Sequence, residues 1–506
     1  MKKNFIKSII LSALFLSVGC KKITDINVSP NNPSLSAATP EVLFPSAVAS
    51  TAARVGGELN ILGSFWSQYY TQSTIANQYR NIDSYNITRY DLNADYNELF
   101  SGALEDYQLA ITNAKANKQW GFVLMSTVMK AYTYEVLVDL YDQVPYTQAF
   151  QGASNIQPVF DKGHDIYVAL LKEIDDALAQ NYSVPLSSSD ASTDLIFGGD
   201  MKKWAEFAHT LELKMYLRMV NAYPADAQAG VAKLYANPDF LSVDAGLNIF
   251  INTPNKDNPF YEYNIRSLNV TTNIRASYTF VSFLTITQDP RMASYFGTSK
   301  PTSINQGDYL NTNTALGSAA SPVQKPTDPV WFISAAESHF LQAEALVRYP
   351  SINGGTTAKA QYMAGVEASF IDNGLAASDA DNFMNNSTND KVNWDISTNK
   401  IRTIIYQKWV SFAQGCHALE GFFDQERTGY PEISDVYSSS PLYTEDTRVT
   451  PSVNHAGQWV YSLNGVTPNK MFPKRIPFPS SEVDRNKNTP TAVPITTPVW
   501  WGLTAQ

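Results

Sequence analysis

His164, His209, His339, His417 and His455 are the side chains best suited to bind a metal or move a proton near neutral pH. None is spaced from another as in HExxH, where two imidazoles share one helical face, so no metal site is expected. Cys416 stands beside His417, but successive residues on a helix point about 100° apart, and adjacency alone makes no nucleophilic dyad. Cys416 falls on an apolar stripe and reads as core. The chain has no GxSxG elbow and no phosphate-cradling loop; Asn353 to Gly355 reads as a turn after a helix. Asp190, Asp194 and Asp200 lack the regular spacing of a calcium loop. A glycosidase needs only two carboxylates about 5–9.5 Å apart, which no spacing can reveal among 47 acids. With no reaction-class motif present, no catalytic residue, metal or cofactor is assigned and the chain reads as a non-enzyme. A secreted glycoside hydrolase and a pure helical scaffold stay open as alternatives.

Binding chemistry is better represented. Charged residues make up 17% of the sequence, below the roughly 25% usual for soluble domains, while Tyr (28), Phe (25) and Trp (9) are plentiful. A polar, aromatic surface of low charge suits sugars or peptides better than phosphorylated ligands. The net charge of −10, without any basic patch, argues against a nucleic-acid partner. Sugars offer apolar C–H faces for aromatic rings and hydroxyls for paired donors and acceptors. Two loop segments combine those groups. ANQYRNIDSYNITRYD holds Asn77, Tyr79, Arg80, Asp83, Tyr85 and Arg89; DNPFYEYNIRSLNVTTNIR holds Tyr261, Tyr263, Arg266, Asn269 and Arg275. The candidate ligand-binding residues are Tyr79, Arg80, Tyr85, Tyr261, Tyr263, Arg266 and Asn269, each with the alternative role of packing its loop on the body.

The elements that must position them are mainly helices. Leu99, Phe100, Ala103, Tyr107, Ala110, Ile111 and Ala114 recur at three- and four-residue steps and predict a helix over 95–117. Phe122 to Leu140 is apolar nearly all round, as in a helix buried among others and ended before Pro145. Ile166, Leu170, Ile174 and Leu178 mark a third helix; Trp204, Ala208, Leu211, Met215 and Met219 mark a fourth, with Asp200 as its N-cap and Pro224 as its stop. From Asn221 to Pro329 periodicity fades, apart from the apolar run Tyr278 to Ile286. It returns with Phe332, Ala336, Phe340, Ala343 and Val347, and with Ile405, Trp409, Phe412, Cys416, Leu419 and Phe423. The last 80 or so residues are irregular. Sequential helices with short links are the raw material of an α-solenoid, although no clean 34-residue repeat is present.

At the N-terminus, Lys2, Lys3 and Lys7 precede an apolar run from Ile9 to Val18, shorter than the roughly 20 residues that span a bilayer. This is the pattern of a secretory signal. Ser17 and Gly19 before Cys20 suit lipoprotein cleavage, although Leu16 lies four places before the cysteine instead of three; an ordinary signal peptide with a chance cysteine is the alternative. Residues 1–19 are expected to be a signal peptide, 20–45 a lipid anchor and tether, and 46–506 a single domain. With Cys20 acylated, Cys416 has no partner, so packing must hold the fold without an internal disulfide.

Eight fragments, in order, resemble one family: ITDINVSPNNPS, DLYDQVPYTQAF, GGDMKKWAEFAHTLELKMYLRM, NTPNKDNPFY, TQDPRM, ISAAESHFLQAEA, QKWVSFAQGCHALEGFFDQERTGYP and KRIPFPSSEVDRNKN. They are similar to segments of the SusD/RagB family of Bacteroidetes outer-membrane nutrient-binding lipoproteins, in its SusD-like branch. The chain departs from that pattern at His417, Ala418, Leu419 and Glu420, where the family has an acidic residue and a tryptophan, and at Glu426 and Arg427, where it has two arginines. The resemblance implies a mostly α fold, a tetratricopeptide-like superhelix with long irregular loops packed on one side as the ligand face. It also implies a lipid-anchored protein at the outer-membrane surface that captures oligosaccharides or other nutrients over a SusC-like TonB-dependent transporter. Lys21 and Lys22 follow the cysteine instead of an acidic cluster, which leaves open whether it faces the surface or the periplasm.

Acyl chains contribute about 0.8 kcal/mol per buried CH₂, and lasting attachment takes two or more of them. Cys20→Ala should therefore release the protein from membranes or leave an uncleaved precursor. Membrane fractionation checks this; a variant that stays acylated and bound to the same extent sinks the lipid-anchor reading.

Overall fold

The computed structural model describes residues 38–268, 270–352, 354–434 and 455–503. The expected signal peptide, Cys20 and most of the expected tether lie outside them, as does Asn269. The first described helix, Pro40–Val55, begins inside the segment 20–45 assigned to the anchor and tether. No helix among the described residues is long and apolar enough to cross a membrane.

Consecutive helices pack as the periodicities require. The expected 95–117 helix is built from Asn93–Glu98 and Glu105–Asn117 around a π-helical turn, Leu99–Leu104. It lies on Trp120–Tyr141, in which every residue after Trp120 is buried. Gly163–Leu178 follows, burying Ile166, Leu170 and Ile174, and then Met201–Arg218, whose N-cap Asp200 accepts from the backbone N–H groups of Lys202 and Lys203. Ala335–Arg348 packs against both Met201–Arg218 and Ala358–Asp372, which continues into Ala377–Asn386. Gly365 permits one of these close approaches: a Cβ there would sit 2.8 Å from the Phe340 ring. The result is a tetratricopeptide-like helical superhelix with irregular segments packed on it.

Three expectations need correction. Phe332 is in a strand, Val330–Ile333, paired antiparallel with Ala245–Leu247, because Ser334 starts the helix by accepting from Glu337 N at 3.1 Å. The periodic stretch from Ile405 to Phe423 is two helices, Lys400–Ser411 and Leu419–Thr428, separated where Gly415 and Cys416 adopt φ of +75° and +59°. Burial on both sides of the break kept the apolar spacing continuous in sequence. The aperiodic region holds a further helix, Pro224–Tyr235, opened by its proline, with Ala227, Gly230, Val231, Leu234 and Tyr235 buried.

Charges inside this apolar frame are met by charges. Lys214 Nζ lies 2.9 Å from Glu135 and 3.0 Å from Glu420; Arg218 contacts Asp139 at 3.0 Å, Glu420 at 2.5 Å and Asp424 at 3.4 Å. Lys408 is 3.0 Å from Asp424, and Arg427 bridges Asp424 (2.9 Å) and Glu344 (2.5 Å). Asp139 also accepts from Tyr167 Oη (2.6 Å) and from Trp501 Nε1 (2.7 Å). Burial opposes the charges of Glu344 and Glu420, yet Arg427 and Arg348 around the first, and Lys214, Arg218 and Lys408 around the second, hold both well below the usual carboxylate range.

Removing one member of a buried set strands its partners, at a cost of about 3–5 kcal/mol. Arg218→Ala should lower the unfolding free energy by that amount in urea denaturation, and a loss under about 1 kcal/mol would contradict the assigned role. Because the folded values of Glu344 and Glu420 lie below the ordinary 4.5, their contribution is complete above that pH and is lost on acidification through the folded values. Melting temperature should fall accordingly between pH 5 and the lowest pH tolerated.

Candidate functional site

A short antiparallel strand pair draws the two predicted segments together. Tyr70–Gln72 pairs with Ile274–Ala276, Thr71 opposite Arg275. The Gln72 side chain accepts from Tyr79 N (2.7 Å) and donates to Asn273 O (3.0 Å), so one residue links both loops. Asp83 anchors them from below. It accepts from Thr71 Oγ1 (2.7 Å), Gln72 N (2.8 Å) and Gln306 Nε2 (2.6 Å). Burial pushes its carboxyl up to about 6 against those donors, which leaves it ionised at neutral pH.

Gln306 brings in a third loop that sequence reasoning missed. Gly307 N donates to Thr71 Oγ1 at 3.0 Å, and Tyr309 then lies under the Arg80 guanidinium, 5.1 Å from its centroid. The loop has no periodicity to announce it; a tyrosine next to a Gly–Asp turn is its only mark. Exposed Ile75 and Leu310 stand in the chain near Arg80 and Tyr309. In the second segment Asn258 caps a turn by accepting from Tyr261 N (3.0 Å), and Arg266 lies on the Tyr261 ring at 5.6 Å. Arg266 donates to Asp257 (2.5 Å) and Asn252 (2.7 Å). These contacts fix the arginine while Tyr261 and Arg266 stay partly open.

Other predicted residues serve the frame. Tyr85, at φ +61° and 2% exposed, has its ring enclosed by Trp66, Tyr461 and Phe472 at 5.4–6.5 Å. Tyr79 is buried against Phe65. The Tyr263 hydroxyl accepts from Arg54 Nη1 (3.0 Å), and its ring lies on Gly57, where a Cβ would approach to 2.7 Å. Burial pushes both phenols up, and the charge of Glu58 adds to it. Arg275 ties down the 317–321 loop by donating to Gly317 O (2.9 Å), and Arg89 turns away to Asp484 (2.9 Å). Asn77 is exposed. Cys416 is buried in the loop after Lys400–Ser411, where desolvation pushes its thiol up to about 12. Among the described residues no group of three or more His, Cys, Asp or Glu is placed to hold a metal.

Comparison with known proteins agrees with this architecture. Residues 30–451 match the SusD-like family model described as "Starch-binding associating with outer membrane". A chitin-binding SusD homologue from Flavobacterium johnsoniae superposes with a TM-score of 0.71 at 22% identity, covering 92% of this chain and 98% of that one. A SusD homologue from Bacteroides uniformis gives 0.73 at 20% identity, covering 94% and 100%. A SusD/RagB family protein from Bacteroides thetaiotaomicron gives 0.72 at 18% identity, covering 92% and 98%. No curated protein matches the sequence. With its helical superhelix, its loop face and a family match over most of its length, the chain belongs to the SusD/RagB family, in its SusD-like branch.

Proposed function

We propose that this protein is a lipid-anchored, non-catalytic glycan-capture protein of the outer membrane that delivers its ligand to a SusC-like TonB-dependent transporter. The observation that carries the reading is the pair of arginine–tyrosine stacks, Arg80 on Tyr309 and Arg266 on Tyr261, on loops fastened to a rigid helical body. Each stack offers an aromatic or guanidinium plane to a sugar's C–H face beside N–H donors for its hydroxyls. The family's description as starch-binding and the chitin-binding relative support a polysaccharide ligand. Tyr79 and Tyr263 then act as supports behind the face, and Asn269 stands in the chain beside it. The transporter partnership rests on family membership and on a helical surface broad enough to cover a partner.

Affinity electrophoresis against starch, chitin oligosaccharides and other glycans should show retardation by at least one of them. Arg80→Ala and Tyr261→Ala should each weaken it about tenfold while leaving the melting temperature unchanged. Retardation that neither variant alters would place the site elsewhere, and shortened products after long incubation would favour a hydrolase. Gentle detergent extraction of outer membranes should recover the protein together with a TonB-dependent receptor; recovery of this protein alone would count for a free-standing binder.

A further inference from the structure

A cavity of about 510 Å³ is lined by the rings of Tyr70, Phe260 and Trp331 and by Asn60, His417 and Asp372. It contains none of the residues of the two stacks. Asn60 is 3% exposed; its Oδ1 accepts from Ala418 N at 3.2 Å, and its Nδ2 has no partner among the described residues. His417, 6% exposed and set edge-on to Phe412 at 4.6 Å, turns its Nδ1 toward the buried Glu337 carboxylate at 3.9 Å. Gln324, also at the cavity, has its Oε1 taken by Asn264 Nδ2 (2.9 Å) and its buried Nε2 left without an acceptor. Buried donors are almost always satisfied, so the unmatched Gln324 Nε2, in a cavity that also holds the open Asn60 Nδ2, marks where a ligand's oxygen atoms belong.

The same cavity carries two carboxylates against one ammonium, that of Lys325. Asp372 and Asp328 line it, and Asp244 lies close enough that its charge, after burial itself, pushes Asp372 up to about 7. None of these three carboxylates forms an ion pair among the described residues: Asp328 accepts from Lys325 N (2.7 Å) and Asp244 from Ala335 N (2.8 Å), while the Asp372 carboxylate has no hydrogen-bond partner there. Aromatic faces, unmatched donors and unpaired carboxylates together fit a small ring bearing hydroxyls and one protonated amine. We propose that this cavity is a binding site for an amino sugar, its ring against Phe260 and Trp331, its oxygens on Asn60 and Gln324, and its ammonium on Asp372. The proposal rests on the reading of the protein as glycan-binding, from which it can be tested separately.

Isothermal titration of the full chain with chitosan disaccharide, its N-acetylated counterpart and cellobiose is the test. The free amine should bind more tightly than either neutral sugar. Asp372→Asn, at the exposed end of its helix, should weaken it about tenfold and leave the neutral sugars unaffected. Ala293→Trp, which fills the cavity from its exposed rim, should abolish amine binding without lowering the melting temperature. Equal binding of amine and cellobiose, or amine binding unchanged by either folded variant, overturns the proposal. Should Ala293→Trp fail to fold, Asp372→Asn decides. Arg80→Ala and Tyr261→Ala, which report on the two stacks, should leave amine binding unchanged, so failure of the glycan-capture reading and failure of this proposal are read apart.

Discussion

An ionised side chain taken out of water must meet its counter-charge, and in this fold that requirement converges on the helix Leu419–Thr428. Its Glu420, Asp424 and Arg427 face Lys214, Arg218, Lys408 and Glu344, which come from three other helices. The helix can reach them because it sits backbone to backbone on Glu58–Trp66: a Cβ on Gly63 would lie 2.3 Å from Leu419 N. The family's double arginine is here Glu426 and Arg427. Arg427 points inward to its ion pairs, whereas burial pushes the Glu426 carboxyl well up despite Lys474 and Arg475.

From that centre the rest takes its rigidity. The Trp120–Tyr141 helix tolerates Glu135 and Asp139 within an otherwise apolar surface because Lys214 and Arg218 answer them. Glu58–Trp66 leads directly into the strand whose Thr71 and Gln72 hold Asp83, and through Asp83 and Gln306 the loops that carry Arg80 and Tyr309. Binding loops can be long and irregular when each is fastened at a buried polar node. Asp83 is such a node for three of them.

Much of the helical frame was legible from spacing. Trp204, Ala208, Leu211 and Met215 announced their helix, and Asp200 its start, because burial on one side writes a 3.6-residue period into the chain. The break at Gly415 was not, since apolar residues flank it on both sides. The candidate face was legible as two segments but not as individual roles. Tyr79, Tyr85 and Tyr263 carry the same side chain as Tyr261, and only the neighbours decide which ring is covered: Trp66 and Tyr461 enclose Tyr85, while Arg266 leaves Tyr261 open on one side. Tyr309 lay beyond reach because it joins the face through Gln306, a long-range contact that no local pattern encodes.

Asp139 and Trp501 are 362 positions apart, and Lys214 and Glu420 are 206 apart. At a synthesis rate of about 5–20 residues per second, roughly 20–70 s separate the appearance of Asp139 from that of its last partner. Arg218, the counter-charge of Asp139, follows it by 79 positions, whereas Trp501 joins the same carboxylate only at the end of that interval. The buried polar set around Asp139 is therefore complete only once Trp501 has been made.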